Sequence, residues 1–144
     1  MTANDDQTGN LSQAMAHARE LMEREPQQAI LQLSEILAVV PDYTPAILLK
    51  TALLRQLADP NEALEQLMPA LRTHPDSAEV LFEYGLTLSA LQRGAEAVAA
   101  LEKVVAAMPD HPEAWRLLAD HAAAVGDTDK SEAAHLKHLR CASQ

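Results

Sequence analysis

Apolar positions recur along this chain with the 3.6-residue period of helices, in eight successive runs. Leu11, Ala14, Met15, Ala18, Leu21 and Met22 form the first stripe. Asn10 precedes it as a cap, with Gln13 three residues on to complete a capping box, so the spacing predicts a helix over 10–24. Pro26 opens a second helix, where its missing N–H costs nothing, and Ala29, Ile30, Leu33, Ile36 and Leu37 are its buried stripe. Thr44-Pro45 starts a third, as a cap followed by proline at the first helical position. That helix carries Ile47, Leu48, Leu49, Leu53, Leu54 and Leu57. Asp59-Pro60-Asn61-Glu62 fits a capping box for a fourth, with Ala63, Leu64, Leu67, Ala70 and Leu71 inward. Pro69 falls inside this helix and is expected to bend it. A fifth begins at Asp76-Ser77, with Leu81, Tyr84, Gly85 and Leu88 inward. Gly94 marks the turn to a sixth, which carries Ala97, Val98, Leu101, Val104 and Val105. Pro112 starts a seventh, with Trp115, Leu118, Ala119 and Ala122 inward, and Gly126-Asp127 leads to an eighth that runs to about residue 140. No alternating run of strand length occurs, so the chain reads as all-α. Residues 1–9 are polar and aperiodic, and read as a disordered tail.

A longer period overlies the helical one. Pro41-Asp42, Pro75-Asp76 and Pro109-Asp110 are spaced 34 residues apart. Ala29, Ala63 and Ala97 keep the same step, as do Leu33, Leu67 and Leu101. This frame resembles the tetratricopeptide repeat, a helix-turn-helix unit of that length. With Ala78 as the first position, Gly85 falls at the family's small position and Ala97 at its alanine, while Leu101, Val104 and Pro109 match further family positions. Neighbouring frames supply Thr51, Ala63, Leu67, Ala70 and Pro75, then Trp115, Ala119 and Gly126. The resemblance implies a right-handed solenoid of four repeats, at about 10–43, 44–77, 78–111 and 112–144, with eight antiparallel helices in a single domain over 10–144. Small residues have a mechanical role in it, because two helices approach closely only where one presents Gly, Ala, Ser or Thr. A bulky side chain at Gly85 or Ala97 would overpack the core, at about 1–3 kcal/mol.

Two departures from the family pattern stand out. The stripe of the first repeat sits two positions off, and His135 and His138 occupy positions that are apolar elsewhere in the family. The chain also stops after its eighth helix, without the polar capping helix such solenoids usually add. That implies a fragment of a longer protein or an end face used by a partner. Residues 115–140 are, more weakly, similar to the last repeat of bacterial proteins in which such repeats precede a sulfotransferase domain.

Charge narrows the partners. The formal charge is −10. Nucleic acid is a poor partner because it needs a basic patch to neutralise phosphates, and an acidic surface does not dock on anionic membranes. A basic or apolar protein partner fits better. Cys141 is the only cysteine, so no internal disulfide forms, which suits a reducing compartment. The polar start MTANDDQTGN is not a secretory signal, and no run approaches the ~20 apolar residues that span a bilayer. The chain is expected to be soluble and cytoplasmic.

In the tetratricopeptide family the first helix of each pair lines the concave groove. Carried over, this places Leu48, Leu49, Ala52 and Arg55 on that surface, then Glu79, Phe82, Glu83 and Leu86, then Glu113, Arg116, Leu117 and Asp120. The Lys and Asn clamp with which some members hold a C-terminal carboxylate is replaced by Leu48, Ala52, Phe82 and Leu86. The middle of the groove is therefore apolar and suits a peptide or an amphipathic helix, with Arg55, Arg116, Glu79, Glu83 and Asp120 setting orientation. His135, His138 and Cys141 are three apart on one helix, with His121 elsewhere, but that spacing drifts round the helix, and solvated histidines near a helix C-terminus are the favoured reading. No nucleophile–base constellation, phosphate loop or zinc motif is present. The expectation is a non-enzymatic interaction scaffold without metal or cofactor. The alternatives are a homodimer through the uncapped C-terminal repeat, or the accessory domain of a larger enzyme such as a sulfotransferase.

Overall fold

The computed structural model describes residues 3–57 and 59–143, with side-chain surroundings from Asn10 onward. Among them are eight helices: α1 (Ala3–Arg24), α2 (Pro26–Val39), α3 (Thr44–Leu57), α4 (Pro60–Thr73), α5 (Ala78–Ala90), α6 (Gly94–Ala107), α7 (Pro112–Ala124) and α8 (Thr128–Ala142). The described residues contain no strand. The chain divides into two compact units between Gln66 and Leu67.

In the first unit α1 packs on α2 and α2 on α3. Met15, Ala18, Ala29, Leu33, Ile36, Ala46 and Leu53 form its core, with Leu11, Ala14, Leu21, Met22, Ile30 and Leu37 packed against it. The apolar stripe read in the first helix is thus the face it buries. The start of α1 differs from expectation. Asn10 is no cap, and α1 begins at Ala3, so residues 3–9 are helical rather than a tail. Once packing on α2 has stabilised the later turns, each added residue gains a hydrogen bond at little cost, and polarity alone does not stop propagation. The tail expected at residues 1 and 2 lies outside the described residues.

In the second unit α5 packs on α6, α6 on α7 and α7 on α8. Leu81, Val98, Leu101, Val104, Val105, Ala114, Leu118, Ala119 and Ala134 make one core cluster, and Leu88, Ala97 and Ala100 another, against which Tyr84 packs. The close approach read at Gly85 is present, and its contact is Leu101. A Cβ on Gly85 would stand 3.1 Å from Leu101 Cδ2 and 3.2 Å from Cγ.

Helix starts are set by local hydrogen bonds. Ser77 Oγ accepts from the Val80 amide at 3.4 Å, and Asp127 Oδ1 from the Lys130 amide at 3.1 Å. Asp59 Oδ1 accepts from the Asn61 amide at 3.0 Å. Thr44 is not the cap its sequence suggests. It is already helical, its hydroxyl donates to the Asp42 carbonyl at 3.5 Å, and the Tyr43 carbonyl accepts the amides of Ala46 and Ile47. Nor is Gly94 the bent residue of its turn. Gln92 takes the left-handed conformation (φ 61°) and Gly94 is the first residue of α6. One repeat later the same place is held by Gly126 (φ 89°), which adopts that conformation without the steric cost of a Cβ. Pro69 stands inside α4 as expected.

Candidate functional site

The first helices of the repeats carry the candidate residues. In the first unit Leu48, Leu49, Ala52 and Arg55 recur at i, i+1, i+4 and i+7 on α3 and share one face of it. All four are half-buried, and Leu49 packs against the core of its unit.

In the second unit the candidate surface is built by α5 and α7. Ser89 of α5 and His121 of α7 meet at 2.7 Å through Oγ and Nε2. The Phe82 ring lies against His111, with centroids 4.5 Å apart and planes at 50°. His111 in turn fixes the start of α7, because its Nδ1 accepts the Ala114 amide at 3.0 Å. Phe82 and Leu117 both pack on the unit's larger core cluster while staying half-buried, and Leu86 is half-buried as well. A side chain in that state has a buried inner face and an outer face still in contact with water.

Two charged residues are placed differently from expectation. Glu83 is 8% exposed, so it belongs to the interior rather than to the exposed surface of α5. Arg116 is held within α7: its Nε donates to Glu113 Oε2 at 3.1 Å, an Nη donates to Glu113 Oε1, and its other Nη donates to Asp120 Oδ2 at 3.2 Å. The hydrogen bond from Arg116 holds the Glu113 carboxyl below its ordinary range, against the opposing effect of burial. The same bond raises Arg116. Three of the guanidinium's five donors are thus engaged within its own helix, and the two carboxylates offset its charge. Glu79, Glu113 and Asp120 are exposed.

This clamp was open to a sequence reading, since residues three and four apart on a helix are neighbours and Glu113, Arg116 and Asp120 keep those steps. The His111 cap and the Ser89–His121 contact had no such signal: histidine is not among the usual caps, and the contact joins residues 32 apart.

The histidines and cysteine near the C-terminus make other contacts. His138 Nδ1 meets the Pro112 carbonyl at 2.8 Å, and Cys141 Sγ donates to the Pro109 carbonyl at 3.6 Å. The His135 and His138 rings are 6.4 Å apart. Among the described residues no group of three His, Cys, Asp or Glu side chains is placed to hold a metal ion. Trp115 is half-buried against the core of the second unit, and its Nε1 donates to the same Pro109 carbonyl at 2.7 Å. No described helix is long and apolar enough to cross a membrane.

Comparison of the sequence with curated proteins found no match. Solved structures of MamA share the fold. The "Crystal structure of MamA" has a TM-score of 0.82 at 16% identity, covering 96% of this chain and 82% of that one. MamA from Desulfovibrio magneticus RS-1, solved from residue 41 to its end, has a TM-score of 0.80 at 17% identity, covering 92% and 76%. Likeness at such low identity places the chain in the all-α helical-repeat solenoid class and carries nothing about a ligand. Tetratricopeptide repeat family models match residues 52–107 and 88–135. The frame of Pro-Asp pairs, the Gly85–Leu101 approach and these two matches agree, and the chain carries tetratricopeptide repeats over residues 52–135.

Proposed function

We propose that this protein is an interaction scaffold that holds a peptide or amphipathic helix against the exposed faces of α5 and α7. The tetratricopeptide repeats support the general role. The observation that carries the specific reading is the trio Phe82, Leu86 and Leu117, half-buried on the surface of α5 and α7. Completing their burial contributes about 1 kcal/mol each, half of what a fully exposed side chain of that size gains. Association and ordering offset about 4–15 kcal/mol, so the burial of the ligand's own apolar side chains has to supply the rest, which suits a reversible contact. A displayed random-peptide library selected on the wild-type protein tests this. Selected peptides are expected to lose binding to Phe82→Glu and Leu117→Glu variants whose far-UV circular dichroism is unchanged. Peptides that bind both variants as well as wild type would place the contact elsewhere.

A second reading has its own observation. Leu136 and Leu139, three residues apart on α8, are 57% and 51% exposed. Two copies pairing across a two-fold axis would cover both leucines on each. Light scattering distinguishes this, since a mass that stays monomeric at high protein concentration removes it.

A further inference from the structure

We propose that the segment held on the α5–α7 surface is basic, an amphipathic stretch with lysine or arginine flanking its apolar side chains. The inference rests on the reading of that surface given above and names the chemistry of its occupant.

The charges of the second unit are sorted by helix. α5 and α7 together carry four carboxylates, Glu79, Glu83, Glu113 and Asp120, and a single guanidinium, Arg116. The second helices are balanced by comparison: α6 has Glu96, Glu102 and Lys103, and α8 has Asp129 and Glu132 with Lys130, Lys137 and Arg140. Acidity is thus concentrated on the helices that expose Phe82, Leu86 and Leu117.

Geometry makes the imbalance effective. Glu83 is buried, which leaves Glu79, Glu113 and Asp120 facing water. The only cation among them directs three of its five donors at Glu113 and Asp120. A partner's carboxylate would reach Arg116 only beside Glu113 and Asp120, whose two negative charges outweigh the one positive charge of the guanidinium. The two carboxylates that Arg116 touches keep free lone pairs, since an ionised carboxylate offers about four acceptor sites. Glu79 and Glu113 each lie in the first turn of their helix, where an acid also complements the helix dipole. Asp120 lies two turns further along α7, beyond the reach of that explanation. An incoming ammonium or guanidinium finds acceptors at both levels beside the apolar trio, whereas an incoming carboxylate meets net repulsion.

The test uses three synthetic amphipathic helical peptides with one leucine pattern, bearing Lys, Gln or Glu at every polar position, titrated calorimetrically into the full chain. The Lys peptide is expected to bind, more weakly at high salt, and the Glu peptide not to bind. Glu79→Lys with Asp120→Lys should weaken the Lys peptide by about tenfold or more, and Glu79→Gln with Asp120→Asn by a smaller factor in the same direction. Both charged positions are exposed, so their substitution preserves folding, and circular dichroism checks it. Equal binding of the three peptides, with loss in Phe82→Ala, overturns the basic partner and leaves the apolar surface standing. Binding of the Lys peptide that ignores Phe82→Ala and Leu86→Ala and vanishes with salt overturns the surface itself. Failure of all three peptides to bind overturns both.

Discussion

Gly85 offers the sharpest test of how the repeats are held together. Replacing it with alanine adds one methyl group, and two effects of opposite sign compete. Alanine is the better helix former by about 1 kcal/mol, and α5 would gain that much if the site were open. The new Cβ, however, would stand 3.1 and 3.2 Å from two atoms of Leu101, a side chain with no exposed surface. Leu101 lies in a packed cluster with Val98, Val104 and Leu118 and has little room to turn aside. Overpacking of this kind costs about 1–3 kcal/mol, so Gly85→Ala is expected to be destabilising by about 1 kcal/mol. The decisive measurement is the double-mutant cycle with Leu101→Ala. That substitution alone should cost about 2–5 kcal/mol as a cavity. In its background the methyl at residue 85 meets space instead of a side chain, and Gly85→Ala should turn stabilising by about 1 kcal/mol. The resulting coupling of about 2 kcal/mol lies within the range for residues in contact. Urea unfolding followed by Trp115 fluorescence reads the unit that holds both residues, and far-UV circular dichroism gives the whole chain. If Gly85→Ala has the same effect in both backgrounds, or stabilises the wild type, the close approach at this position is not what demands glycine.

Other predictions follow from single contacts. Gln92→Gly should stabilise the chain by about 0.5–1 kcal/mol in urea unfolding, because φ 61° is costless for glycine; a loss of stability would mean that the Gln92 side chain outweighs its backbone. Trp115→Phe removes the donor to the Pro109 carbonyl and should cost about 1 kcal/mol beyond any loss of packing, checked by thermal unfolding monitored by circular dichroism. The Glu113 carboxyl is held below its ordinary 4.5 by Arg116. Its folded value being the lower, the bond stabilises the protein fully above the unfolded value, and that part is lost as pH falls through the folded one. The pair is exposed, so Glu113→Gln should cost only about 0.2–1 kcal/mol at neutral pH, a difference from wild type that closes in strongly acid solution.

Much of the fold was legible because periodicity is a property of the whole pattern and tolerates local exceptions. Met15 and Ala18, Leu33 and Ile36, Leu81 and Leu88, and Val104 and Leu118 were all placed inward by spacing alone, and all are buried. Helix ends were harder, because they depend on which nearby group happens to satisfy a few backbone amides. Thr44 looks like a cap and is not one, His111 does not look like a cap and is one, and α1 passes through Asn10 because propagation needs no signal to continue. Leu57, read with the apolar stripe of the third helix, is 41% exposed in its last position. On the candidate surface, spacing identified which residues share a helix face but not how deeply each is sunk. Glu83 shows the difference, being in register with Phe82 and Leu86 and yet buried. Depth depends on neighbouring helices, which the period of one helix does not encode.

The Pro109 carbonyl accepts both the Trp115 indole N–H and, more distantly, the Cys141 thiol. The chain has one tryptophan and one cysteine, so its only strong fluorophore and its only thiol report on the same oxygen. An experimenter therefore has two built-in and chemically unrelated probes of the contact between the Pro109 turn and the end of α8. Indole emission follows the loss of the donor at 115, and the rate of alkylation at 141 follows release of the thiol. If the last repeat opens before the rest of its unit, the two signals should move together and ahead of the helical signal, which would reveal a partly unfolded species without any label being added.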